Sequence, residues 1–203
     1  MNKEKREYDN SKRHREAEQT KLEIVQALGR LWMKYSLTDI TLDMVAEEAG
    51  VTTRTVLRKF GSRDGLLNET LNYDTGNISS DRHNAKVGDV EDILNTLLDN
   101  YETMGDAAIR TIHLEPELEI ARKIGEQGRK VHRDWCKKMF APYLPNETSS
   151  EYEIKLTAFI ASTEIYLWKL MRKDLGLSKK ETFQVFKRML EGLIHNNTHN
   201  KKS

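Results

Sequence analysis

Apolar residues recur three and four positions apart along almost the whole chain, which is the spacing of one face of an α-helix. The alternation of apolar and polar positions that marks a half-buried β-strand is almost absent. The pattern therefore predicts an all-α protein. N-cap residues and glycine stops divide it into helices over 12–35, 42–49, 53–59, a segment beginning after Ser62, 89–104, 106–113, 116–140, 150–173 and 178–195.

The segment 41–59 is predicted to be a helix, a glycine turn and a second helix. Thr41 and Thr52 are N-cap residues, and Gly50 ends the first of the two helices. Both helices are too short to be stable alone, so each must pack its apolar face on the helix predicted over 12–35. This is the layout of a helix-turn-helix, in which the second helix enters the major groove of DNA.

The second short helix carries charge of one sign. The chain has 33 Lys and Arg residues against 32 Asp and Glu residues, yet no acid lies between Val51 and Ser62. Basic and hydroxyl side chains contact phosphates and base edges, so we favour DNA binding over a solvated protein–protein face. The residues predicted to contact DNA from this helix are Thr52, Thr53, Arg54, Thr55, Arg58 and Lys59.

The run TLDMVAEEAGVTTRTVLRKFGSRDGLL, from Thr41 to Leu67, follows IVQALGRLWMKYS, from Ile24 to Ser36. Together they resemble the N-terminal domain of the tetracycline-repressor (TetR) family of transcriptional regulators, over about the first third of the chain. The resemblance implies a homodimer that binds operator DNA and is usually released by a small molecule bound in a helical C-terminal domain. By family position, Thr41, Ser62 and Arg63 would contact phosphates.

Three residues depart from the family pattern. Leu57 stands where a tyrosine often contacts the DNA backbone, and Arg63 replaces a lysine and keeps its charge. Ser36 replaces the common glycine after the first helix.

The predicted domain boundaries are an N-terminal extension over 1–20, a helix-turn-helix domain over 21–73, an effector-binding and dimerisation domain over 74–196, and a polar tail over 197–203. The extension contains the basic run Lys12-Arg13-His14-Arg15 but has a net charge of only +1 over 1–20. Two interpretations stay open for it, a minor-groove arm or a solvated, partly disordered leader.

The second domain has no recognisable motif. Apolar and polar-tipped side chains that suit an effector site are Tyr101, Met104, His113, Trp135, Met139, Thr163 and Tyr166. Gly125 and Gly128 permit either a close helix crossing or room for a ligand. The residues expected at a four-helix dimer interface are Ala158, Ala161, Ile165, Phe186, Met189 and Leu190.

The fourth helix is predicted to link the two domains, with Ser62 at the DNA and its later part, around 71–77, at the effector domain. A ligand among Tyr101, His113, Trp135 and Tyr166 would then change the spacing of the two recognition helices.

The sequence gives little support for an enzyme, a metal protein or a membrane protein. No nucleophile–base set, phosphate-binding glycine loop or metal cluster is present, and the pair His132 and Cys136 is too small for a metal site. We therefore expect no enzyme, no cofactor and no metal. No apolar stretch approaches a membrane span, and the charged N-terminus is no secretory signal, so a cytoplasmic protein without a membrane partner is expected. The alternative function is a TetR-like co-regulator or scaffold that does not itself read an operator.

Overall fold

The computed structural model of the protein describes residues 3–71 and 84–195, with side chains from residue 12 onward. Within these ranges the chain is helical and contains no strand, so the predicted all-α fold is confirmed. The chain divides into two compact units, Met1–Asp74 and Thr75–Ser203. No helix in the described ranges is long and apolar enough to cross a bilayer.

The N-terminal unit contains α1 (Lys3–Lys34), α2 (Leu42–Glu48), α3 (Thr53–Phe60) and α4, which is helical over 63–71. Helix α2 packs on both α1 and α3. All four helices contribute apolar side chains that are almost completely buried, namely Ile24, Leu28, Leu31, Val45, Ala46, Val56 and Leu66. Burial in this shared core stabilises α2 and α3, which have too few turns to persist alone.

Helix α1 is longer than its predicted span of 12–35. Its N-terminal part is helical from Lys3, and the two interpretations of the extension stay predictions. The side chains of residues 12–19 are exposed. The segment 3–20 contains no glycine or proline and is rich in good helix formers, which favours a helix that begins at Lys3.

The turn between α2 and α3 has the two hydrogen bonds of a Schellman motif. Gly50 has a φ of 66°, the N–H of Val51 donates to the carbonyl of Ala46 at 2.9 Å, and the N–H of Gly50 donates to Glu47 at 3.1 Å. Glycine suits this position because an L side chain is strained at positive φ. The predicted stop at Gly50 is thereby confirmed, and it sets the direction in which α3 leaves α2.

The C-terminal unit contains α5 (Val90–His113), α6 (Glu119–Met139), a short 3₁₀ turn (Ala141–Tyr143), α7 (Glu151–Ser162), α8 (Ile165–Lys169), a π-helical turn (Leu170–Asp174) and α9 (Lys179–His195). Helix α5 packs on α6, α8 and α9, and α7 packs on α6 and α9. The centre of the unit is aromatic, with fully buried side chains at Trp135, Phe140, Phe159, Trp168 and Phe186.

Helix boundaries in this unit differ from the prediction in three places. The predicted helices 89–104 and 106–113 form one helix, α5, with Gly105 inside it. The predicted helix 150–173 is interrupted at Glu164, which has an extended backbone with φ −72° and ψ 145° and whose carboxylate caps α8 through the Ile165 N–H. The predicted helix 116–140 begins only at Glu119, after a turn that contains Pro116.

Two predicted features fall at least partly outside the described residues. They are most of the weakly structured stretch 74–88 and the later part of the linking helix, around 71–77. The polar tail 197–203 also lies outside.

Candidate nucleic-acid interface

Helix α3 is fixed to the N-terminal unit by its cap and its buried face. The Thr52 hydroxyl accepts a hydrogen bond from the N–H of Thr55 at 3.2 Å, as the sequence predicts for an N-cap. Val56 is completely buried, and Gly61, with a φ of 75°, ends the helix. One side of α3 is therefore committed to the core, and the opposite side faces outward.

The outward side of α3 carries two arginines. Arg54 and Arg58 are exposed, and neither has a hydrogen bond or ion pair to another described residue. The helix contains no acidic residue. Leu57 lies on the same side with 42% of its surface exposed, so an apolar side chain stands between the two cations.

The threonine hydroxyls of α3 are partly occupied within the protein. Thr52 and Thr55 share a hydrogen bond of 3.0 Å between their Oγ1 atoms. The Thr53 hydroxyl donates to Oδ1 of Asp43, on α2, at 2.5 Å. Asp43 is exposed and lies in the first turn of α2, so the fold brings an acid to the otherwise basic surface that sequence reasoning treated as free of acids.

Two of the cations predicted to contact phosphate are used inside the unit. Nζ of Lys59 donates to the carbonyl of Ala17, on α1, at 2.6 Å. The Arg63 guanidinium donates through Nε to the carbonyl of Ile40 at 3.0 Å and through Nη2 to the carbonyl of Leu37. Arg63 thus braces the turn between α1 and α2, which leaves Nη1 as its group for an external anion. No sequence signal marks these contacts, because all three acceptors are backbone carbonyls.

The remaining predicted DNA contacts lie at helix starts. The Thr41 hydroxyl accepts from the N–H of Met44 at 3.2 Å, and the Ser62 hydroxyl accepts from the N–H of Gly65 at 3.0 Å. Both residues are exposed. Each hydroxyl oxygen is engaged as an acceptor, so its proton is available to a phosphate oxygen.

Most of the N-terminal unit matches a known protein family. Residues 24–70 match the family described as bacterial regulatory proteins, tetR family. The matched segment contains α2, the glycine turn and α3, and it covers 47 of the 203 residues. This part of the chain is therefore similar to the helix-turn-helix segment of tetR-family regulatory proteins.

Solved structures show a similar fold along most of the chain. A putative transcriptional regulator from Pseudomonas aeruginosa PAO1 is 14% identical with a TM-score of 0.60, over 87% of this chain and 90% of that one. A TetR transcription regulator from Haloarcula marismortui is 19% identical with a TM-score of 0.56, over 88% and 98%. NalD, the secondary repressor of the MexAB-OprM multidrug efflux pump in Pseudomonas aeruginosa, is 18% identical with a TM-score of 0.54, over 89% and 99%. The search of curated proteins found no significant match.

The predicted effector-site residues do not form one cluster. Tyr101 and Thr163 are together, since the Tyr101 hydroxyl donates to the Thr163 carbonyl at 2.8 Å. Trp135 and Met139 are buried in the core, Met104 is half-buried, and His113 and Tyr166 are exposed.

The sequence did not predict that Thr163 joins the pair His132 and Cys136 in one buried polar cluster. Nε2 of His132 lies 3.1 Å from Oγ1 of Thr163, and Sγ of Cys136 lies 3.4 Å from the same oxygen. All three residues are buried, and the His132 ring stacks on Trp135 with centroids 5.7 Å apart. The spacing of His132 and Cys136 by one helical turn was the available signal. Within the described ranges, however, no three His, Cys, Asp or Glu side chains group as metal ligands.

The predicted interface residues differ in where their side chains lie. Ile165, Phe186 and Leu190 are buried inside the protomer, so they support α8 and α9 from within. Ala158 is half-buried, whereas Ala161 and Met189 are exposed. The outer surface of α7 to α9 also exposes large apolar side chains, at Ile154, Tyr166, Leu170, Leu175 and Val185.

Proposed function

We propose that the chain is a cytoplasmic, homodimeric repressor that reads an operator with α3 and is released by a small molecule bound in the C-terminal unit. The observation that carries the proposal is the pair Arg54 and Arg58, exposed on a helix without acids and unpaired among the described residues. Two guanidinium groups held one helical turn apart suit a polyanion, because each can bind phosphate oxygens or a guanine edge in bidentate fashion.

The two arginines have different roles in this proposal. Arg54 lies in the first turn of α3, where recognition helices contact base edges, so it contributes to sequence choice. Arg58 lies in the last turn and contributes phosphate affinity. Leu57, between them, offers an apolar surface of the kind that contacts a thymine methyl group.

An operator selected from random double-stranded DNA tests this assignment. Arg58→Ala should lower the slope of log affinity against log salt by about 0.9, because it removes one cation from the phosphate backbone. Arg54→Ala should relax base preference at one position of each half-site and cost roughly 1–3 kcal/mol. Lys130→Ala is the control, because Lys130 is an exposed cation of α6 without a hydrogen bond or ion pair among the described residues. If Arg54→Ala selects the same operator as the unchanged protein, Arg54 does not read a base.

Assembly rests on the apolar surface of α7 to α9. Homodimer interfaces are commonly formed by exposed apolar side chains on packed helices. A two-fold dimer that binds DNA would hold its two recognition helices roughly 34–36 Å apart, which is one turn of the duplex. Ala161→Glu places a charge on this surface and should yield monomers with reduced operator affinity. Lys130→Glu, on the exposed side of α6, is the control. Sedimentation gives the mass, and a monomer that binds the full operator as tightly as the unchanged protein contradicts the proposal.

Release by a small molecule is supported by the polar groups within an aromatic core, around Tyr101, His132 and Thr163. A mainly apolar ligand with one or two hydrogen-bonding groups fits such surroundings. A ligand present at 100 times its dissociation constant should add roughly 2.7 kcal/mol to the free energy of unfolding. Screening by thermal shift, followed by operator-binding assays with each hit, tests the coupling. A ligand that stabilises the C-terminal unit and leaves operator affinity unchanged contradicts release.

A further inference from the structure

An acidic side chain occupies the base-reading end of the helix-turn-helix. Asp43 lies in the first turn of α2, and its Oδ1 accepts the Thr53 hydroxyl proton at 2.5 Å. Thr53 is the first residue of α3. The contact therefore holds the exposed carboxylate beside the N-terminal end of the recognition helix, which is the end that meets base edges in helix-turn-helix complexes.

A carboxylate at this place has a narrow choice of partners on DNA. Phosphate oxygens repel it, and the acceptor atoms N7 and O6 of guanine and O4 of thymine offer it nothing. An ionised carboxylate is acceptor-only. Only the exocyclic amino groups of cytosine and adenine donate into the major groove.

Cytosine fits the pair better than adenine does. Cytosine presents a donor alone in the major groove, whereas adenine presents a donor beside the acceptor N7. The Thr53 proton is already given to Asp43, so the outward groups of the Asp43–Thr53 pair are oxygen lone pairs. An acceptor-only surface matches the donor-only edge of cytosine and leaves adenine N7 unpaired.

We propose that Asp43, held by the Thr53 hydroxyl, is a specificity-determining residue that selects cytosine at one position of each operator half-site. This inference rests on the proposed function and deepens it. The carboxylate accepts a hydrogen bond from the cytosine N4 amino group and, through repulsion, weakens binding to every sequence that lacks a donor there.

The test compares operators selected by the unchanged protein, Asp43→Asn and Thr53→Val, with Glu23→Gln as a control that removes one exposed acid from α1. The unchanged protein should prefer cytosine at one position over the other bases by about 5- to 150-fold. Asp43→Asn should lose that preference or shift it to adenine, because its amide both donates and accepts. Thr53→Val should weaken the same preference, and Glu23→Gln should leave it intact.

Three results would overturn the inference. The first is an Asp43→Asn protein that keeps the operator and every base preference. The second is an Asp43→Asn protein that binds all sequences more tightly by the same factor, which would mean general repulsion alone. The third is an Asp43→Asn protein with a lower melting temperature and an unchanged selected sequence, as expected of a carboxylate that only stabilises the start of α2. If the unchanged protein selects no sequence at all, the proposed function fails and the inference fails with it.

Discussion

Helix α3 and the helices of the C-terminal unit use their charges in opposite ways. In the C-terminal unit, basic side chains reach across to acids on other helices. Arg172 binds Glu102 with Nε–Oε1 and Nη2–Oε2 distances of 2.6 and 2.9 Å, and Lys173 binds Asp106 at 2.7 Å. Lys179 and Lys187 pair with Asp99 and Glu91 of α5.

On α3 the two arginines have no such partner among the described residues. Charges that are paired between helices fix how those helices pack, and charges left without a partner are available to a ligand. Arg172 is thus held by an acid of another helix, whereas Arg54 and Arg58 are the arginines that the proposed function assigns to DNA. Measurements that separate stability from DNA affinity test this difference.

The largest effect on stability is expected at Gly105. A Cβ at this position would lie 2.5 Å from Cζ3 of Trp168, well inside van der Waals contact. Gly105→Ala should therefore lower the free energy of unfolding by about 1–3 kcal/mol, measured by denaturant titration with tryptophan fluorescence.

Gly128→Ala is the matched control for this prediction. No atom lies within 4 Å of the corresponding Cβ, so alanine should stabilise α6 by about 0.5–1 kcal/mol. A Gly105→Ala protein as stable as Gly128→Ala would show that the Trp168 contact is loose.

The second effect concerns Glu102. The hydrogen bond from Arg172 lowers the pKa of Glu102 to about 2 from its usual 4.5, with a further contribution from Nε1 of Trp168. A lowered carboxyl pKa stabilises the folded state above pH 4.5, and this stabilisation is lost as the pH falls towards 2. Because Glu102 is partly exposed, Glu102→Gln should cost about 1–2 kcal/mol at neutral pH.

Unfolding curves from neutral pH down to the lowered pKa of Glu102 check this expectation. The unchanged protein should lose stability over this interval more steeply than Glu102→Gln does. Glu117→Gln removes an exposed carboxylate without a hydrogen bond or ion pair among the described residues and should keep the steep dependence. Equal pH dependence in all three proteins would contradict the role of the Arg172 pair.

The third effect is the loss of stability when an N-cap hydroxyl is removed, which can be measured in both units. Thr52 caps α3, and Ser178 accepts from the N–H of Glu181 at 3.2 Å at the start of α9. Alanine at either position should cost about 1 kcal/mol of stability. Only Thr52→Ala should also reduce operator affinity at constant salt, and an equal reduction in Ser178→Ala would remove the distinction between the units.

The smallest effect on stability is expected at the arginines of α3. Arg54→Ala and Arg58→Ala break no hydrogen bond or ion pair within the described residues. Each substitution should therefore change the free energy of unfolding by less than about 0.5 kcal/mol relative to the unchanged protein. Operator binding should nevertheless fall. A stability loss above about 1 kcal/mol in either variant would reveal a structural role for the arginines of α3.

Local signals predicted the helix-turn-helix well. Thr41, Gly50 and Thr52 act within four residues of their own positions, so the chain marks these caps and stops directly. The all-α fold followed from the spacing of apolar residues in the same way.

The features that the sequence did not predict depend on contacts between residues that are distant along the chain. Gly105 lies where the pattern predicts a helix end, but α5 continues through it, and the space at this glycine is filled by Trp168, far along the chain. Gly125 likewise leaves room for Glu115, whose carboxylate binds Arg129 at 2.8 Å. The position of Asp43 beside Thr53 depends on how α2 crosses α3, which no spacing rule reveals.

The Arg63 brace has a consequence for the thermodynamics of DNA recognition. Its two hydrogen bonds to the carbonyls of Leu37 and Ile40 order the turn before α2 in the absence of DNA. A surface that is ordered beforehand loses little conformational entropy on association. The heat-capacity change on operator binding should then correspond to the contact area alone, without the additional negative contribution of a segment that folds as it binds.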